Sequence, residues 1–342
     1  MSSVAIELND AGVAIAKDGV LLQESPGYAL VDGDRVLVGT EAQRKARLQP
    51  RHVHSEFWER LGSDPLPRPS RLARCQADLA RAHLAHLWGP LSEDCDSVIF
   101  AVPGSFSRTQ LGLLLGIAQS ISIPVVGMVD GAVAGIPDTT PKAEGQKLLH
   151  VDLQLHRAVV TRLCRTPTLR RTNVDTSSRV GLAVLWDACV ASIAEEFVRQ
   201  TRFDPLYRAR TEQQLYDLLP RCLERLRQDT RVAIRMNDGS KSRRIVLQRS
   251  QLVEAMSPYT RRLASLVKAA RGSDEATALH LSARAYAVPG LAHALGATSD
   301  SEPIGLEPGA SALGALARDR ELRSSDGSIR FVSAVGSGRE TT

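Results

Sequence analysis

The chain opens on alternation: Val4, Ile6 and Leu8 share one side, and Ala5, Glu7 and Asn9 share the other. Side chains on a pleated strand repeat every two residues, so this pattern predicts a strand. Asp10-Ala11-Gly12 supplies a turn, Val13 and Ile15 resume the alternation, and Lys17-Asp18-Gly19 leads into Val20 and Leu22. Three short strands and two turns make a meander. A further strand is predicted over 35–39, with Thr40 as N-cap of a helix and Gln43 completing a capping box. Prolines 50, 65, 67 and 69 mark 50–70 as loop, and Leu72, Leu79, Ala82, Leu84 and Leu87 predict a helix over 70–88 that Gly89-Pro90 closes. The unbroken run 98–102 reads as a buried strand. Ser107 caps a helix to about 120, 124–129 forms another strand, and Asp130 or Gly131 opens a short helix. Strand, helix, strand, helix in this spacing is an α/β unit with parallel pairing.

After the polar stretch 139–145, which reads as a boundary, a second meander follows over 147–153, 158–164 and 169–173. A long helix is predicted over 181–200, with Val184, Leu185, Ala188, Ile193, Phe197 and Val198 as its apolar stripe. Thr211 and Gln214 form a capping box for a next helix, and Pro220 inside that run predicts a kink or a restart. Residues 232–236 and 245–247 alternate around Asn237-Asp238-Gly239 as a hairpin, Ser250 caps a helix to about 270, 278–281 is a strand and 308–317 a helix. Beyond Arg318 the chain is rich in Ser and Gly and is expected to be flexible. The order of meander, helix, inserted segment, strand and helix thus recurs at the scale of half the chain.

Charge sharpens this outline. The 43 Lys and Arg exceed the 38 Asp and Glu by five, and only six of the 43 are lysines. The excess is local: residues 199–271 hold 17 basic and 7 acidic side chains, net +10, which leaves −5 for the remainder. Such a segment can attract an acidic protein, a nucleic acid or an anionic membrane surface. No apolar run reaches the ~18 residues of a membrane span. The five cysteines are odd in number and widely spaced, which argues for a reducing compartment, and with no secretory leader at the start a cytoplasmic location is expected. His52 and His54 flank Val53 but have no further ligand at metal spacing, so no metal is expected there.

Seven segments in order carry a resemblance: the first meander; Ala101-Val102-Pro103-Gly104-Ser105-Phe106-Ser107; Val126–Gly135; His150–Leu163; Glu195-Glu196-Phe197 with Cys222-Leu223-Glu224-Arg225; Leu279–Leu295 with Pro289-Gly290; and Glu307–Gly314. Together they resemble the nucleotide-binding domain of the seventy-kilodalton heat-shock (DnaK-type) chaperones, of the actin-like ATPase superfamily. The resemblance implies a two-lobed actin-like (ribonuclease H-like) α/β fold, each lobe a mixed sheet flanked by helices. It implies a first lobe over 1–145 with an inserted segment at about 40–95. A second lobe follows over 146–318 with a helical and hairpin insertion at about 199–272, and then a flexible tail over 319–342. No peptide-clamping domain is expected to follow.

The family holds Mg-ATP between its lobes on glycine-rich hairpins, whose backbone N–H groups approach the phosphates where no Cβ intervenes. Here Glu7 keeps a carboxylate in the first loop, Asn9 stands for the glycine, and Asp10 sets a negative charge where phosphate would lie. Like charges ~4 Å apart cost ~4 kcal/mol at an effective dielectric of 20. In the second loop Asp152 remains, but Gln154, Leu155 and His156 replace three glycines and Arg157 replaces a threonine. Ala283 and Arg284 replace the paired glycines of the adenosine segment. Asp130, Asp152 and Glu7 are expected to converge at the cleft.

These replacements imply a pseudo-ATPase that serves as a scaffold or regulatory interaction module, with no cofactor and with an acidic protein partner. Arg208, Arg210, Arg243, Arg244 and Arg249 are the expected partner surface. One alternative is an active ATPase binding Mg-ATP or ADP, in which His156 and Arg157 replace the glycine N–H contacts. A second is an arginine-mediated nucleic-acid binder, since Phe203, Tyr207, Tyr216 and Tyr259 interleave with the arginines.

Overall fold

The computed structural model describes residues 2–33, 35–138, 145–237, 239, 241–272, 277–299, 302–324 and 326–336. The first half contains β1 (Ser3–Glu7), β2 (Val13–Lys17), β3 (Val20–Ser25), β4 (Ala29–Asp32), β5 (Arg35–Val38), α1 (Thr40–Gln43), β6 (Val53–His54), α2 (Gln76–Trp88), β7 (Ser97–Val102), α3 (Arg108–Ser120), β8 (Val125–Asp130) and α4 (Gly131–Gly135). The second contains β9 (Gln146–Leu153), β10 (Ala158–Arg165), β11 (Thr168–Ser177), α5 (Leu182–Thr201), α6 (Ala209–Gln228), β12 (Arg231–Asn237), β13 (Ser242–Gln248), α7 (Arg249–Arg271), β14 (Thr277–Leu281), α8 (Ala283–Tyr286), α9 (Leu291–Ser299), β15 (Ile304–Gly305), α10 (Ala310–Ala317), α11 (Asp319–Leu322), β16 (Phe331–Val332) and β17 (Ala334–Gly336).

Two six-stranded mixed sheets dominate, ordered β16-β8-β7-β1-β2-β3 and β15-β14-β9-β10-β11-β17. Both are built alike. An antiparallel meander carries two parallel strands on the free edge of its first strand: β7 and β8 beside β1, and β14 and β15 beside β9. The recurrence seen in the hydrophobic pattern is therefore a repeat of topology.

Alternation sorts each strand between two faces. On the first sheet Val4, Ile6, Ile15, Val98 and Phe100 pack outward with α2 and α3, while Ala5, Ala16, Ile99 and Ala101 face inward. On the second, Leu149, Val151, Val160 and Leu279 pack against residues of α5, α6 and α7, and Leu148 and Leu163 face inward. The inward faces enclose α4 and α10 through Val133, Ala134, Ala312 and Ala315. Small side chains suit this middle layer because two helices must fit between two sheets. At Gly314 an added Cβ would overlap the carbonyl oxygen of Ala134 in α4. Gly314→Ala is thus expected to push the helices apart and cost about 1–3 kcal/mol, read as an earlier urea midpoint.

Several element boundaries differ from expectation. Asp130 does open α4, accepting from Ala132 N and Val133 N, and Ser107 and Gln110 cap α3 reciprocally. The helix expected from residue 70 begins at Gln76, where Asp78 accepts from the N–H groups of Arg74 and Cys75. Thr40 is not a cap: Gly39 precedes a single turn, at φ 65. Nor do Thr211 and Gln214 form a box; α6 starts at Ala209, and Thr211 Oγ1 donates back to Pro205 O. Pro220 neither breaks nor restarts α6, because its ring lies on the exposed side while Leu215, Leu219, Cys222 and Leu226 stay buried opposite. Gln248 and Gln251, not Ser250, form the box of α7.

The largest difference is the tail. Residues expected to be flexible instead carry α11, β16 on the first sheet beside β8, and β17 on the second beside β11. Phe331 and Val335 supply the apolar anchors that Ser- and Gly-rich composition obscured. The expected boundary at Thr139–Gly145 falls, except for Gly145, outside the described residues. Among the described residues no helix is long and apolar enough to cross a membrane.

Candidate functional site: a cleft filled by its own side chains

The turns that end β1 and β9 face one another between the sheets. Asn9 follows β1; its Nδ2 donates to Asp152 Oδ2 at 2.8 Å, and its Oδ1 accepts from Ala11 N. Asp10 reaches into the second turn, where its carboxylate accepts from Leu155 N at 2.6 Å and from His156 N at 3.3 Å. Burial raises the Asp10 carboxyl to about 6, against the pull of those two amides and of His156. The turn is tight because α5 begins immediately behind it: Leu182 N and Ala183 N donate to Gln154 O and Leu155 O. Gly181 is required at that approach, since a Cβ there would press on the backbone of 155–157.

Arg284, on the one-turn helix α8, crosses from the second sheet to the first. Its Nη1 donates to Glu7 Oε1 at 2.8 Å, its Nη2 to Gly12 O at 2.8 Å, and both Nε and Nη2 reach Glu24 Oε1. Burial works against this cation, but Glu7, Glu24 and Asp152 more than offset it and hold it charged. Burial likewise raises the Glu7 carboxyl, with Arg284 pulling it back.

What remains between Glu7, Asn9, Asp152, Gln154 and Ser282 is a cavity of 40 Å³. That exceeds the ~10–15 Å³ a single water requires. Asp152 Oδ1 is buried there with no hydrogen-bond partner among the described residues. A Mg-polyphosphate does not fit this arrangement. The amides that could cradle it are taken by Asp10, and Glu7, Asp10 and Asp152 would all face its charge. Beside Arg284 a larger cavity of 450 Å³ opens, walled also by Tyr286, Arg227, Glu224 and Leu306.

Other candidates are engaged elsewhere. Asp130 is fully buried, caps α4 and pairs with Arg171 Nη1 at 2.6 Å, so it does not join Glu7 and Asp152 in the small cavity. His156 and Arg157 do not stand in for glycine N–H groups: His156 Nε2 donates to Ser55 O at 3.1 Å, and Arg157 pairs with Glu59 at 2.9 Å. Both side chains tie the turn to the 55–59 loop. His150 and His280 sit side by side on β9 and β14, buried. Burial holds His150 below its usual range and pushes His280 down to about 4.

The five arginines expected to form one partner surface are split. Arg208 and Arg210 are exposed at the start of α6 and share a groove with Asn237 and Gly239 of the hairpin tip. Arg244 lies on the outer face of β13, directly opposite Arg235 of β12. Arg243 and Arg249 are half-buried. Sequence reasoning missed Glu24, Arg171, Ser55 and Glu59, the partners that fix the cleft side chains. It also missed Arg47 and Gln213. Arg47 N donates to Gln213 Oε1 at 2.8 Å, and Gln213 Nε2 returns to Gln43 O, a second bridge between the two halves.

Compared with protein-family models and with curated proteins, the chain matches none.

Proposed function

We propose that this chain is an actin-fold, heat-shock-chaperone-like module that has given up ATP hydrolysis and acts as a scaffold or regulatory protein-interaction partner in the cytoplasm. The observation that carries the reading is Asp10. A carboxylate of the chain itself accepts from Leu155 N and His156 N, the position at which the resembled family offers backbone amides to phosphate. The repeated sheet topology supports the two-lobed frame, since each half repeats the same five-strand plan. Arg284 on Glu7 and Asn9 on Asp152 bridge the halves without a ligand. A module of this kind holds one shape, and its output is what it binds.

Calorimetric titration with Mg-ATP and with Mg-ADP is expected to show no saturable heat, and no phosphate release should accompany it. Micromolar binding with Mg-dependent turnover that Asp152→Asn abolishes would sink the reading and favour an ATPase with rebuilt loops. A nucleic-acid reading has one specific observation in its favour. Arg235 faces Arg244 across the hairpin, and like charges in that register repel unless an anion lies over them.

A further inference from the structure

Above the filled cleft the two halves leave a groove. One part, 500 Å³, is walled by Arg44, Leu48, Arg208, Arg210, Asn237 and Gly239. The adjoining part, 590 Å³, is walled by Tyr28, Trp186, Tyr216 and Arg221. Arg44, Gln213, Gln214 and Asp217 belong to both walls, so the two parts are continuous.

Two acids of this region are already ion-paired. Glu212 and Asp187 pair with Arg47, whose guanidinium also stacks 3.8 Å over the Tyr216 ring. Tyr216 Oη donates to Asp187, and Asp217 accepts from Gln213 Nε2 at 2.9 Å. No hydrogen bond or ion pair from the described residues reaches the guanidinium groups of Arg44, Arg208 or Arg210. Three cations outside any ion pair among the described residues therefore line one end of the groove, against the single described carboxylate there, Asp217, and next to Leu48, which is 47% exposed. Aromatic rings line the other end. The floor is fixed beforehand by the Arg47–Gln213 bridge, so a ligand need not order it.

We infer that this groove takes an acidic, extended peptide segment of a partner protein, its carboxylates on Arg44, Arg208 and Arg210 and a large apolar side chain against Tyr28 and Trp186. Guanidinium groups favour carboxylates through paired N–H donors, and a planar aromatic wall gives such a segment an anchor. Arg44 comes from the first half and Arg208 and Arg210 from the second, so the peptide spans both. The inference rests on the scaffold reading only for its biological sense; the groove is tested separately.

The test uses the full chain and fluorescence anisotropy of a labelled peptide of alternating glutamate and leucine. The same peptide with lysine for glutamate and a labelled oligothymidine of equal length run beside it. Saturable binding of the glutamate peptide alone is expected, weakening with added salt. Arg44→Ala and the double variant Arg208→Ala/Arg210→Ala should each weaken it roughly tenfold, the scale of losing one or two charge-assisted contacts. All three residues are exposed, so unchanged melting curves are expected to show that the fold persists. Equal affinity in the variants, or tight oligothymidine binding with none for the peptide, would overturn the proposal. Nucleotide titration separates the two readings. Peptide binding together with ATP turnover would overturn the scaffold reading and leave the groove standing. Silence to both nucleotide and peptide would do the reverse.

Discussion

Replacing Arg284 with Leu should lower the stability of the protein by about 3–5 kcal/mol, the usual cost of removing one member of a buried ion pair. The cause lies in what is left behind. Glu24 is 43% exposed at its side chain and can take up water, whereas Glu7 is 11% exposed and cannot. Gly12 O loses a donor as well. Because burial already raises the Glu7 carboxyl, the variant can relieve itself by protonating Glu7, so its deficit should shrink in acid. Chemical denaturation at neutral pH measures the loss, and adding Glu7→Gln to Arg284→Leu should restore part of it. A midpoint shifted by under 1 kcal/mol, or no recovery in the double variant, would show that the bridge does not join the halves energetically.

Acid should destabilise the protein before most carboxylates titrate. His83 is fully buried between Ser25 and Trp58. The indole N–H can only donate, so Nδ1 accepts at 3.0 Å and the ring proton sits on Nε2, 2.8 Å from Ser25 Oγ. A neutral ring is built in, and burial pushes His83 down to about 3, with His86 adding to the effect. The unfolded chain protonates the same ring near 6.5. Stability from a group held below its unfolded value is intact above 6.5 and is lost as pH falls from there toward 3. Between pH 7 and 5 this removes roughly 2 kcal/mol for His83 and a similar amount for His280, and His150 adds in the same direction. Asp10 runs the other way. Its folded value of about 6 lies above the unfolded 3.8, so it favours the fold in acid and loses that contribution as pH rises through 6, an offset of about 1 kcal/mol. Glu7 and Asp130, whose carboxyls burial also raises, offset in the same direction as Asp10, so the net expectation is a fall of roughly 2–3 kcal/mol between pH 7 and 5. In His83→Gln, whose amide can accept from Trp58 and donate to Ser25, the slope should flatten by close to one proton. An unchanged slope would remove His83 from the account.

Local pattern carried most of the strands and the pairing of the two meanders, because alternation and turn residues act within a few positions of one another. Ser107 and Asp130 were legible as caps for the same reason. The cleft was legible in part: Glu7, Asn9, Asp10, Asp152 and Arg284 were expected there, and their side chains do meet between the two sheets. Their partners were not legible. Glu24 meets Arg284 and Ser55 meets His156 across long stretches of chain, and no periodicity links such pairs. Pro220 misled for a related reason. Its cost is local, but four buried side chains on the opposite face of α6 outweigh it.

The strands β16 and β17 also set an order of events during synthesis. Phe331 pairs with Met128 and Val335 with Leu169, so each sheet waits for an edge strand encoded far downstream. At ~5–20 residues added per second, the edge of β8 stays bare for roughly 10–40 s after it leaves the ribosome. Bare edges invite pairing with other chains. A nascent molecule therefore passes through a sticky stage that ends for both sheets together, when one six-residue segment docks.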